Sequence, residues 1–156
     1  MVQEYVEAAP ALDDFSAAGP PVLRITTARV PGRAPFLHSA FLTICVPGEN
    51  PRNFLSGQLR AVVDAKGVLQ SGISFARPQA RLQYIPWNGA VLAGRPLPHF
   101  EEAIHDVLAA MALLPGVALV NWDTILTAQG PVILEGPEFL PMLLRVFKSV
   151  FTADLG

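Results

Sequence analysis

The segment 118–137 constrains the fold of this chain most, because it has the pattern of two β-strands joined by a tight turn. We expect a three-residue hairpin loop, 128–130, in which Gly130 supplies the left-handed backbone conformation. This loop places Asp123 directly opposite Glu135. The other pairs that it predicts are Thr127 with Pro131 and Ile125 with Ile133.

Side chains of this hairpin alternate between two faces of the sheet. One predicted face is apolar and consists of Val120, Trp122, Leu126, Val132 and Leu134. The other face brings together Asn121, Asp123 and Glu135. Because opposed carboxylates repel each other, they need a divalent metal between them, a neutralising arginine, or screening by water. The pattern alone leaves these three arrangements open.

Composition narrows the class of protein. The chain has 156 residues, which fits one domain, and 51% of them are apolar while only 15% are charged. A surface so poor in charge is typical of a domain that is partly covered by another domain or subunit. The net charge is −2 and the only lysines are Lys66 and Lys148. We therefore expect no nucleic-acid partner, since no basic patch is available to neutralise phosphates.

The sequence also predicts the compartment. The single cysteine, Cys45, lies in an apolar run, where we expect a buried thiol compatible with a reducing environment. The first residues lack the basic and apolar regions of a signal peptide. The longest apolar run, 107–120, is too short to span a membrane. These features predict a cytoplasmic protein without a membrane span.

The remaining elements predict an α+β fold, with a largely antiparallel sheet and flanking helices. Strands are expected over 2–6, 22–30, 36–46, 58–64, 68–70 and 80–85, and the rest of 71–94 is expected to be irregular. Helices are expected over 10–18, 98–114 and 138–151. The last of these is apolar on nearly every side, which is typical of a buried or interfacial helix.

Several short segments occur in an order that resembles a known family. They are Val2-Gln3-Glu4-Tyr5, Leu23-Arg24-Ile25-Thr26-Thr27, Asn53-Phe54-Leu55-Ser56-Gly57, Val63-Asp64, Leu97-Pro98, Asn121-Trp122-Asp123 and Gly130-Pro131-Val132-Ile133-Leu134-Glu135-Gly136. Over residues 2 to 137 they resemble the C-terminal half of an ATP-grasp enzyme of the sugar-transfer-associated branch. The resemblance implies the C-terminal subdomain of the ATP-grasp fold.

The resemblance also implies a site and a reaction. Asp123 and Glu135 correspond to the Mg²⁺ ligands, and Arg24 to a residue near the ATP phosphates or an acyl phosphate. ATP would be bound by Gln3, Glu4 and Tyr5 at its adenosine and by the loop that contains Asn53. The activity implied is ATP-dependent activation of a carboxylate, followed by attack of an amine, hydroxyl or thiol. The substrate implied is a cell-envelope or polysaccharide precursor.

The chain departs from the family pattern at two positions and at its start. Pro137 stands where the family has a ligand asparagine, and Gln58 where it has a second glycine. Residues 1–156 are expected to form a single domain that lacks the N-terminal nucleotide-binding half. The missing half would come from a second polypeptide or a homodimer. Two functions follow: half of an ATP-grasp ligase, or a degenerate, non-catalytic module that dimerises or docks on a partner.

Overall fold

A computed structural model describes residues 6–53, 56–75 and 77–136, with the backbone only for 77–79. Its seven strands form one antiparallel sheet in the order β5-β4-β3-β2-β1-β6-β7. The strands are β1 (Val22–Ala28), β2 (Phe36–Cys45), β3 (Gln58–Val63), β4 (Leu69–Ser74), β5 (Arg77–Leu82), β6 (Leu119–Thr127) and β7 (Gly130–Glu135). A 3₁₀ helix, Pro10–Phe15, precedes the strands in the chain. Helix α1 (Phe100–Ala112) follows β5 and precedes β6 in the chain. The predicted α+β fold is confirmed.

Helix α1 covers one face of the sheet. Its buried residues are Phe100, Ala103, Val107, Ala110 and Met111, which recur at helical spacing. The side chain of Arg29, just after β1, donates to the carbonyl oxygens of Leu114 (3.0 Å) and Met111 (2.6 Å). These carbonyls lie at the end of the helix and also accept backbone amides of Leu114 and Val117, so Arg29 adds a second donor to each and ties the helix end to the sheet.

The central strand pair is β1 with β6, which are antiparallel neighbours. On the face toward α1, the indole Nε1 of Trp122 donates to Thr27 Oγ1 at 2.8 Å. Both residues are completely buried. A buried donor and a buried acceptor thus satisfy each other, which fixes the two strands in register.

The β6–β7 hairpin differs from the predicted one at its loop. Thr127 pairs with Gly130, so the loop contains two residues, Ala128 and Gln129, and the predicted three-residue loop is wrong. The hydroxyl of Thr127 explains the tighter turn. It donates to the Gly130 carbonyl at 2.8 Å and accepts from the Gln129 amide at 3.1 Å. Gly130 does adopt a positive φ, 124°, as predicted.

A β-bulge restores the predicted pairing of the acids. The register shifts between Asp123 and Thr124, so Thr124 pairs with Ile133 while Asp123 pairs with Glu135. Between these two pairs, Leu134 is the extra residue on β7. The expected pairing of Asp123 with Glu135 is therefore confirmed.

The two-residue loop exchanges the faces of β7 near the turn. Ile125 pairs with Val132 and not with Ile133. Val132 is exposed, whereas Ile133 packs against the core. The prediction that Val132 faces the core is wrong, because a slip of one residue moves every side chain to the opposite face.

Strand β4 is longer than its pattern suggests, and β5 lies three residues earlier in the chain than the expected strand 80–85. β4 reaches Ser74 and β5 begins at Arg77, in a part of the chain that was expected to be irregular. Small residues interrupt the alternation of apolar and polar side chains that would have predicted a strand here. Gly72 has no room for a side chain, since a Cβ atom would lie 2.6 Å from Leu92 Cδ2. The helix expected over 10–18 is the shorter 3₁₀ helix, and the helix expected over 138–151 lies outside the described residues.

Two further expectations concern the thiol and the membrane. Cys45 is half-buried and not fully buried, and this burial raises the pKa of its thiol. Within the part of the chain that the structure describes, no helix has the length and apolar character needed to cross a bilayer.

The buried indole–hydroxyl hydrogen bond gives the first prediction. Thr27→Val keeps the shape of the side chain but leaves the Trp122 N–H buried without an acceptor. We expect the free energy of unfolding, measured by urea denaturation, to fall by about 1–3 kcal/mol. Thr43→Val is the control, because Thr43 is half-buried on the other face and its hydroxyl makes no hydrogen bond to a described residue. Equal losses in the two variants would show that the hydrogen bond contributes nothing specific.

Candidate functional site

The face of the sheet opposite α1, called the open face below, carries a row of side chains that crosses five strands. Backbone pairing aligns Glu135 on β7, Asp123 on β6, Arg24 on β1, Phe41 on β2 and Val62 on β3. Side chains of directly paired residues share a face. The structure therefore brings together three residues that the sequence selected: Arg24, Asp123 and Glu135.

Arg24 and Asp123 form a bidentate ion pair. Arg24 Nε donates to Asp123 Oδ1 at 2.6 Å, and Nη2 donates to Oδ2 at 2.5 Å. The side chains are 40% and 17% exposed. The hydrogen bonds to Asp123 raise the pKa of the Arg24 guanidinium, and burial opposes this rise. Of the three arrangements that the sequence left open, neutralisation by an arginine is the one present for Asp123.

Glu135 is not part of this ion pair. It is exposed and forms no hydrogen bond or ion pair with a described residue. Its negative charge nevertheless contributes to the raised pKa of Arg24, after the contributions of Asp123. Arg24 thus neutralises Asp123 directly, whereas Glu135 acts on Arg24 only through its charge and is exposed to a further cation.

A second polar contact supports the same strand pair. Thr26 Oγ1 donates to Asn121 Oδ1 at 2.7 Å on the open face, one rung from the ion pair. Asn121 stands where the family pattern has a glycine. Its amide side chain is used to join β6 to β1.

The sequence analysis did not select Arg60, which lies on the same face. Its guanidinium lies 5.1 Å from the ring centres of both Phe41 and Phe75. Burial, and then the positive charge of Arg24, lower the pKa of Arg60. Alternation along 58–64 puts Arg60 and Val62 on one face, which is the signal that could have selected it.

The loop between β2 and β3 contains Asn53. Its amide donates to Ser56 Oγ at 3.0 Å, and the Gly57 amide donates to the Asn53 carbonyl at 2.7 Å. Gly57 is required by packing, since a Cβ atom would lie only 2.0 Å from the Asn50 carbonyl oxygen. Asn53 belongs to this loop and not to the row of Arg24, Asp123 and Glu135. Gln3, Glu4, Tyr5 and Pro137 lie outside the described residues.

The metal-binding capacity of the site rests on two carboxylates. The described ranges contain no cluster of three or more histidine, cysteine, aspartate or glutamate side chains that could hold a metal ion. Mg²⁺ does not need such a cluster, because it binds proteins through one or two carboxylates and completes its shell with water and phosphate oxygens. The donor set of Asp123 and Glu135 fits this requirement.

Comparison with known families agrees with this geometry. The family model for sugar-transfer associated ATP-grasp proteins matches residues 1–146, which include the whole described site. The chain belongs to the sugar-transfer associated ATP-grasp family. No curated protein and no solved structure matches it. ATP-grasp domains are ATP-binding and ligase-like, and Mg²⁺ generally accompanies their ATP. The open face of this ATP-grasp sheet is therefore the candidate nucleotide face.

The ion pair gives the second prediction. Asp123→Asn removes the partner of a half-buried guanidinium, so we expect the free energy of unfolding to fall by about 1 kcal/mol in metal-free buffer. Glu135→Gln is the matched control. It removes a carboxylate that has no partner among the described residues, and we expect a change within about 0.5 kcal/mol. A rise in stability for Asp123→Asn would mean that repulsion between the carboxylates outweighs the ion pair.

Proposed function

We propose that the open face of this ATP-grasp domain is the Mg²⁺- and phosphate-binding wall of a site for ATP-dependent carboxylate activation. The observation that carries the proposal is the row of Glu135, Asp123 and Arg24, in which two opposed carboxylates lie beside a guanidinium on the sheet face opposite helix α1. In such a reaction the carboxylate takes the γ-phosphoryl group of ATP and releases ADP. An amine, hydroxyl or thiol then displaces phosphate from the acyl phosphate. A cell-envelope or polysaccharide precursor is the proposed substrate class.

Asp123 and Glu135 would hold the metal. Their oxygens are the hard ligands that Mg²⁺ prefers, and they face each other across two adjacent strands. When bound, Mg²⁺ neutralises charge on the phosphates and so favours phosphoryl transfer. Glu135 is already open to such an ion, whereas Asp123 is held by Arg24.

Arg24 would have to exchange its hydrogen bonds to Asp123 for another partner. Both oxygens of Asp123 accept hydrogen bonds from Arg24, so a metal ion and the guanidinium compete for one carboxylate. Ligation of a metal ion by Asp123 would free the Nε and Nη2 donors of Arg24 on the open face. A guanidinium binds phosphate oxygens in the same two-point geometry as a carboxylate. Arg24 would then hold the phosphoryl group as it transfers.

The rest of the ATP site would come from other segments. The described residues form one wall, and the family resemblance assigns the adenosine to Gln3, Glu4 and Tyr5 and a loop contact to Asn53. The opposite wall would come from outside the described residues, in a second polypeptide or a second copy. A supply of ATP is consistent with a cytoplasmic location.

A second candidate function rests on the same ion pair. If Arg24 and Asp123 remain paired, both oxygens of Asp123 stay occupied, and Pro137 offers no replacement ligand. The domain would then be a non-catalytic ATP-grasp derivative that dimerises or docks on a partner. In this case the ion pair serves only to join β1 to β6.

Competition between metal and arginine gives the third prediction. Arg24→Gln frees Asp123, so we expect Mn²⁺, a spectroscopic substitute for Mg²⁺, to bind about fivefold more tightly, because an ion pair of roughly 1 kcal/mol no longer opposes it. The same variant should bind Mg²⁺-ATP more weakly, since a phosphate ligand is lost. Electron paramagnetic resonance of free Mn²⁺ and calorimetric titration with Mg²⁺-ATP measure the two effects.

Two controls decide between the candidate functions. Arg33→Gln removes the same charge from the exposed turn between β1 and β2 and should leave both affinities unchanged. Asp123→Asn should abolish the Mn²⁺ binding. Failure of Arg24→Gln to tighten Mn²⁺ binding, or no heat with millimolar Mg²⁺-ATP for the unmodified chain, would favour the non-catalytic module.

A further inference from the structure

A separate pocket opens on the same sheet face, on the side of β2 away from β1. Its volume is about 190 Å³. Two arginines, Arg60 and Arg81, and two aromatic rings, Phe41 and Phe75, contribute to its walls, and Ser71 adds a hydroxyl. None of the described residues that line it is an aspartate or a glutamate. The pocket therefore combines positive charge with apolar surface.

Arg60 is held in this pocket by aromatic rings. Its guanidinium lies over Phe41 and over Phe75, at 5.1 Å from each ring centre. Nη2 donates to Gln58 Oε1 at 3.1 Å, and Nε is buried without a hydrogen-bond partner among the described residues. Cation–π contacts fix the position and plane of a guanidinium but leave its net charge in place.

The charge of Arg60 is not neutralised within the described residues. The bidentate partner on this face, Asp123, is engaged by Arg24, and no described carboxylate forms an ion pair with Arg60 or Arg81. Burial and the charge of Arg24 lower the pKa of Arg60, in keeping with an environment that disfavours the cation. A partly buried cation is stabilised when an anion enters beside it. An anionic ligand would supply the negative charge that balances Arg60.

The pocket's shape restricts the kind of anion. Val62 and Ile73 extend the apolar surface, so the ligand needs an apolar body as well as a charge. The volume is close to that of a cavity of roughly 150 Å³ that holds one benzene molecule. A guanidinium can make a two-point contact with either a carboxylate or a phosphate, so it is the apolar lining that favours an anion with an apolar body over inorganic phosphate.

We propose that this pocket binds the carboxylate substrate, with its carboxylate on Arg60 and Arg81 and an apolar or aromatic body against Phe41 and Phe75. The role as substrate rests on the proposed ATP-dependent function. The location suits that role, because Phe41 pairs directly with Arg24 in the sheet register. A carboxylate held here lies beside the residue assigned to the transferring phosphoryl group.

The test compares matched small probes in the absence of metal and nucleotide. Benzoate has the planar carboxylate and the aromatic body, benzamide has the same shape without the charge, and inorganic phosphate has the charge without the body. Titrations followed by NMR chemical shifts should give millimolar binding of benzoate and about tenfold weaker binding of both other probes. Equal affinity for benzamide, or tighter binding of phosphate, would overturn the proposal.

Variants locate the binding and separate it from the nucleotide site. Arg60→Gln should weaken benzoate binding about tenfold, while Arg33→Gln, which removes the same charge elsewhere, should not. Arg81→Gln should weaken benzoate binding less than Arg60→Gln does. Because Arg81 is exposed, this variant can replace Arg60→Gln in the test if Arg60→Gln does not fold. Mg²⁺-ATP binding should be the same in Arg60→Gln as in the unmodified chain. Benzoate binding without Mg²⁺-ATP binding would contradict the nucleotide function only, and unchanged benzoate binding in both variants would contradict the pocket assignment.

Discussion

The antiparallel pairing of β1 with β6 is the interaction on which the rest of the sheet depends. It joins segments about a hundred residues apart, and side chains reinforce it on both faces. Toward α1, Trp122 donates to Thr27 in the core, and toward the open face Arg24 holds Asp123. Strand alternation makes this division possible, because neighbouring residues of one strand point to opposite sides. One strand pair therefore supplies residues to both the centre of the core and the centre of the candidate site. Strand β7 contributes Glu135 to the site because it pairs with β6.

The sequence predicted the pairing of the two carboxylates but not the details of the hairpin that carries them. The opposition of Asp123 and Glu135 is confirmed, although the loop is one residue shorter than expected and Val132 is exposed. Two departures from the predicted hairpin cancel each other: hydrogen bonds of the Thr127 hydroxyl favour a turn one residue shorter, and the bulge at Leu134 shifts the register back by one residue. Neither can be seen in apolar alternation, because both depend on hydrogen bonds made by individual residues.

Contacts between distant segments account for what the sequence could not predict. The family pattern placed Arg24 near phosphates, but only the fold shows that it pairs with Asp123, from which it is separated by most of the chain. Arg60 was missed for a similar reason. Its significance comes from Phe41 on β2 and from Phe75, which directly follows β4, and both lie beside Arg60 only after β2, β3 and β4 have paired. Short-range patterns identify strands and faces, whereas the partner of a charged side chain depends on the order of strands in the sheet.

The two arginines on the open face differ in how their charge is balanced, and this difference bears on function. Arg24 has a bidentate carboxylate partner, so any ligand that recruits it must first offer Asp123 another cation. Arg60 has aromatic neighbours and forms no ion pair with a described acid, so an anion can bind it without displacing a described carboxylate. A metal–phosphate complex meets the first requirement, because it carries a cation for the carboxylates and an anion for the guanidinium. A simple carboxylate meets only the second. The same sheet face therefore offers two different charge environments to the two reactants of the proposed carboxylate activation, with Phe41 between the two positions.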